Sequence, residues 1–194
     1  MFKKNKIMKN LKYIFIINLI CSVLFLNSCK NDDDIDIDVE ELITTVTYTL
    51  TPTSGDVVTL SFSDIDGDGG NDPIITGGTL QANMNYTGAL DLKNESETPA
   101  ESITEEIEEE DLDHQFFFST DGGLDLTVTY NDEDSQGNPL GLATNLVTGV
   151  ASTGTLKVIL RHKPEKAESG VSTGDITNAG GETDIEVTFD IVVQ

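Results

Sequence analysis

Three aspartates at alternate positions, Asp64, Asp66 and Asp68, open the run DIDGDGGNDP, with Gly69 following them. Calcium is a hard cation that takes about six to eight oxygen ligands, and alternate residues of a tight loop can converge on it. Asp64, Asp66, Asp68, the carbonyl of Gly70 and Asp72 fall at the first, third, fifth, seventh and ninth places of such a loop. The twelfth place is Ile75 rather than the bidentate glutamate of an EF-hand, and no helices are expected on either side. The same residues suit an Asp/Gly hairpin turn whose carboxylates cap the turn's own N–H groups. Asp132, Asp134, Gln136 and Gly137 echo the spacing more faintly and read as a turn.

A second set of donors lies in EEIEEEDLDH, which ends at His114. On a helix Glu105 and Glu109 share a face, and Asp113 and His114 follow as the chain turns into a strand. His162, the other histidine, ends a later strand on its apolar side. Carboxylates and imidazoles together suit zinc or another transition metal if that strand end lies near the acidic helix. The plain alternative is a solvated acidic helix and a rim histidine. Calcium at the first loop ranks ahead of a transition metal here. Lys157, Arg161, Lys163 and Lys166 crowd the same strand end and are expected to pair with the acidic helix.

Nucleophilic catalysis has little support. Gly170-Val171-Ser172-Thr173-Gly174 matches G-x-S-x-G, but that motif works only between a strand and a helix of an α/β sheet. Here it falls in a long loop, 163–183. The chain is not expected to be an enzyme.

The elements that must position these residues are mainly strands. Period-two alternation recurs in Val46, Tyr48 and Leu50, in Val58, Leu60 and Phe62, and across 86–93. It continues in 115–119, in Leu124 to Tyr130, in Leu156 to Leu160 and in Ile185 to Val193. This predicts an all-β domain, an antiparallel two-sheet sandwich of about seven strands and immunoglobulin-like architecture. One short acidic helix interrupts it. Thr98-Pro99-Ala100-Glu101 has the form of its capping box, Ile103 and Ile107 would face the core, and the end should fall near Asp111.

The N-terminus reads as a processed leader, residues 1–28. Five lysines precede an apolar run from Tyr13 to Leu26, too short to span a bilayer as a stable helix. Leu26-Asn27-Ser28-Cys29 resembles the lipobox of bacterial lipoproteins, which implies lipidation at Cys29 and a membrane anchor. Residues 29–42 form an acidic tether resembling a surface-export signal, and 43–194 the folded domain. The expected location is the outer membrane at the cell surface, with its periplasmic face as the alternative. The formal charge is −24, with 35 acidic against 11 basic residues, five of the latter in the leader. Such a field repels nucleic acid and attracts cations. Of the two cysteines, Cys21 lies in the leader and Cys29 takes the lipid, so the domain has no disulfide and no thiolate metal site.

Five blocks together carry a wider resemblance: FSDIDGDGG from Phe62, NESETPAE from Asn94 through Glu110, HQFFF from His114, LRHKP from Leu160 and GGETDIEVTF from Gly180. They resemble small acidic surface lipoproteins known as the type 1 periplasmic binding fold superfamily. That resemblance implies partnership with TonB-dependent outer-membrane receptors, and its name implies a two-lobed α/β fold. The periodicity implies all-β instead. The leading expectation is a non-catalytic surface lipoprotein that binds a cation or small ligand as accessory to such a receptor. The alternative is a calcium-stabilised structural or adhesive surface module without a transported ligand.

Overall fold

Tyr48 is wholly buried at the centre of the first strand, and its surroundings show how the two layers are built. In the computed structural model, which describes residues 42–67 and 69–194, Thr45–Pro52 (β1) turns Val46, Tyr48 and Leu50 inward. It pairs antiparallel with Val58–Ser63 (β2) on one side and Asn85–Asn94 (β5) on the other. Ile74–Thr76 (β3) extends the sheet beyond β2. Ala143–Thr148 (β9) and Leu126–Tyr130 (β8) extend it beyond β5, and the two-residue β6, Glu101–Ser102, also pairs with β5. This sheet has seven strands among the described residues.

The second sheet has four, in the order Gly78–Leu80 (β4), Glu182–Val193 (β11), Ser152–His162 (β10) and His114–Asp121 (β7). Its β4–β11 pair is parallel; the other strand pairs described are antiparallel. Leu60, Leu92 and Leu146 of the first sheet and Phe116, Leu156, Leu160 and Phe189 of the second share one core. Burying each such side chain stabilises the fold by roughly 1.5–3 kcal/mol. The Tyr48 and Phe118 rings stack across the layers at 6.0 Å. The chain is therefore an all-β, sandwich-like domain, as its alternation predicted, with eleven strands among the described residues rather than about seven.

The strand that alternation missed most completely is β9. Its inward positions are Thr144, Leu146 and Thr148, so two of three buried residues are polar by type. Each hydroxyl is satisfied: Thr144 Oγ1 lies 2.6 Å from Tyr48 Oη, and Thr148 Oγ1 donates to the Gln81 carbonyl at 2.6 Å. Gly88 makes room for the first of these contacts. A Cβ there would stand 2.3 Å from Thr144 Oγ1 and 2.7 Å from the Tyr48 ring.

The helix, Ile103–Glu109 (α1), starts later than its predicted capping box. The cap is Ser102, whose Oγ accepts from the Glu105 N–H at 3.3 Å. Thr98 and Pro99 lie in the loop before β6. Ile103 and Ile107 are buried as expected, and Thr104 Oγ1 accepts from Leu92 N–H at 2.7 Å, holding the helix against β5. The 163–181 segment is more ordered than a plain loop. It contains two 3₁₀ turns, Val171–Thr173 and Ile176–Asn178. Its Val171 and Ala179 are buried against Phe117 and Ile159 on the outer face of the second sheet. No helix among the described residues is long and apolar enough to cross a membrane.

Candidate metal centre

His114 begins β7 and His162 ends β10, and the antiparallel register sets them directly opposite each other. Both continue the inward phase of their strands, beyond Phe116 and Leu160, so both are buried. Their rings stack with centroids 4.9 Å apart and an interplanar angle of 11°. The adjoining strand contributes Asp184. In β11 the outward phase runs through Glu186, Thr188 and Asp190, and Asp184 belongs to it by count. The pairing, however, passes from Leu160↔Ile185 to Arg161↔Thr183, leaving Asp184 as the extra residue of a β-bulge. A bulge reverses the side-chain phase at one point. Asp184 turns inward, its side chain fully shielded from solvent.

Asp184 Oδ2 lies 3.9 Å from His114 Nε2, and Asp184 Oδ1 lies 3.8 Å from His162 Nδ1. One donor atom from each residue falls within 4.8 Å of the others. His114 Nδ1 is 3.1 Å from the Glu110 carbonyl at the helix end. A carbonyl can only accept, so Nδ1 carries a proton and Nε2 is the atom presented to Asp184. Backbone orientation of the second ring nitrogen is the usual support of a metal-ligating histidine. A carboxylate held away from water calls for positive charge beside it, which an imidazolium or a cation can supply. Metal–nitrogen and metal–oxygen bonds near 2.1 Å put tetrahedral donors about 3.4 Å apart, so ligation would draw these three slightly together. Two imidazoles and one carboxylate suit zinc and neighbouring divalent transition ions better than calcium.

Among the residues expected to bind metal, the structure thus unites His114 and His162 but pairs them with Asp184. Glu105, Glu109 and Asp113 are exposed, the first two on α1, and fall outside this cluster. The Asp/Gly run forms the hairpin between β2 and β3. There Asp64 Oδ1 accepts from Gly67 N–H at 3.0 Å. Asp66 Oδ2 accepts from Asn71 N–H at 3.1 Å and Asn71 Nδ2 at 2.6 Å, bonds that hold the Asp66 carboxyl below the usual carboxylate range. Gly70 and Asp72 are exposed, and Asp68 lies outside the described residues, as does Cys29. Asp134 is engaged as a turn residue, whereas Asp132 braces the backbone leading into β9. Asp132 accepts from the N–H groups of Gly141 and Ala143 at 2.7 and 2.8 Å. Asp134 accepts from Gln136 and Asn138 N–H at 2.9 and 2.8 Å.

Lys157, Arg161 and Lys166 do not pair with the carboxylates of α1 as expected. Lys157 pairs with Glu186 across the strands. Arg161 donates to the Gly180 and Gly181 carbonyls and to Thr183 Oγ1. Lys166 reaches Asp134 at 2.9 Å and the Asp111 carbonyl, just beyond the helix, at 2.6 Å. The G-x-S-x-G run forms the first 3₁₀ turn, with no strand leading into it and no α-helix following.

No family model and no curated protein matches the sequence. Among solved structures the chain is similar to domains 4 and 5 of the S-layer protein SbsC, at 12% identity over 75% of each chain with a TM-score of 0.29. A superposition that loose carries no argument about site or function.

Proposed function

We propose that this chain is a non-catalytic lipoprotein, held in the outer membrane by acyl chains on Cys29 and displayed at the cell surface. There it binds a divalent transition-metal cation on behalf of an outer-membrane receptor of the TonB-dependent kind. One observation carries the cation reading: His114, His162 and Asp184, from three neighbouring strands, present donor atoms within 4.8 Å of one another. The formal charge of −24 supports it by raising the local concentration of cations. The leader and the Ser28-Cys29 junction support the anchor.

Thermal denaturation of the full chain in detergent, with one metal at a time, tests the reading. Zinc should raise the melting temperature, and His114→Ala should remove the response. A shift with calcium alone, lost in Asp66→Ala, would replace the proposal with a calcium-stiffened surface module. No response to any metal would sink both.

A further inference from the structure

His162 and Asp184 flank the two ends of the 163–181 segment, and His114 stands beside them on the third strand. Any ion shared by these residues therefore closes the base of that segment. The segment folds over the outer face of the second sheet. Gln115 donates from Nε2 to the Val171 carbonyl at 3.0 Å, and Phe117 is covered by Val171 and Ala179. Outside the base, Arg161 grips the Gly180 and Gly181 carbonyls. Gly181 passes so close to β10 that a Cβ there would stand 2.1 Å from the His162 carbonyl. Lys163 N–H donates to the Asp113 carbonyl and Glu165 N–H to the Ala179 carbonyl, each at 2.6 Å, and inside the base the three donors have side chains with at most 6% exposure. An ion cannot reach donors so covered while the base is shut.

Resting on the cation-binding reading above, we propose that a zinc-class ion held by His114 Nε2, His162 Nδ1 and Asp184 fastens the base of the 163–181 strap. Uptake and release of the ion are then coupled to opening of the strap. Opening uncovers the apolar face formed by Phe117 and Ile159, so metal occupancy is readable from outside the domain. Three protein donors leave one position of a tetrahedral ion to water.

Hydrogen exchange read by mass spectrometry, on the chelator-stripped full chain with and without one equivalent of zinc, tests the coupling. Zinc should slow exchange across 163–185 at least tenfold, and Asp184→Asn should abolish the slowing and weaken zinc binding at least tenfold. Tight zinc binding with unchanged exchange across 163–185 would overturn the strap and leave the cation-binding reading standing. Unchanged zinc affinity in Asp184→Asn would overturn the donor assignment. Absence of zinc binding by the unmutated chain would overturn both. Cobalt(II) in the unmutated chain reads the donors without any variant. Visible absorption of a low-coordinate ion is expected, and its absence counts against the assignment.

Discussion

Lys166 is a charged residue with 8% exposure, a rare position that requires a partner. Its partner is Asp134, whose side chain has no exposure. Burial pushes Asp134 toward its neutral acid. The Asn138 N–H, the Lys166 ammonium, the Gln136 N–H and the Asn138 amide outweigh that push and hold its carboxyl below the ordinary 3.8. Removing one member of a buried pair strands the other, so Lys166→Met should lower the unfolding free energy in urea by about 3–5 kcal/mol. The double change with Asp134→Asn should cost less than the sum of the singles. The sign of the pH effect follows from the depressed folded value. Such a carboxyl stabilises the fold above its unfolded value and loses that contribution as pH falls through the folded one. Urea midpoints should decline below about pH 4, and less steeply in Asp134→Asn. Neither this pair nor Asp184 was legible in the sequence. Lys166 was expected to pair with the acidic helix and Asp134 to lie in a turn, and Asp184 sat in the outward phase of its strand. Both histidines were legible, because each extends or begins an apolar run.

Elements with an uninterrupted period were read correctly, and the failures have local causes. β1 and β11 from Ile185 onward alternate cleanly, whereas β9 buries threonines whose hydroxyls are satisfied by residues distant in sequence, Tyr48, Gln81 and Met84. The short β3, β4 and β6 are too brief to show a period. For α1 the sequence predicts the cap at Thr98, whose box has the right form, but Ser102 is also a residue able to cap. The bond from Ser102 Oγ to Glu105 N–H decides it. Ser102→Ala should cost about 1 kcal/mol in urea denaturation. An unchanged midpoint would show that packing of Ile103 and Ile107, rather than the cap, sets where the helix begins.

At the scale of the molecule, a formal charge of −24 opposes compaction through self-repulsion. Salt shortens the reach of that repulsion from about 30 Å at 0.01 M to about 3 Å at 1 M. Calorimetry in rising sodium chloride should show the melting temperature climbing about 2–4 °C for each kcal/mol screened. A flat or falling curve would mean that local pairs, not the overall field, dominate. The irregular step in β11 has a consequence of its own. Excising Thr183 would let the ladder run straight and carry Asp184 to the position facing Arg161, on the outside of the sheet. A shortened chain of this kind would trade a hidden acid for an ordinary surface ion pair. The additional residue is thus a concession in regularity whose return is the placement of a single carboxylate between two imidazoles.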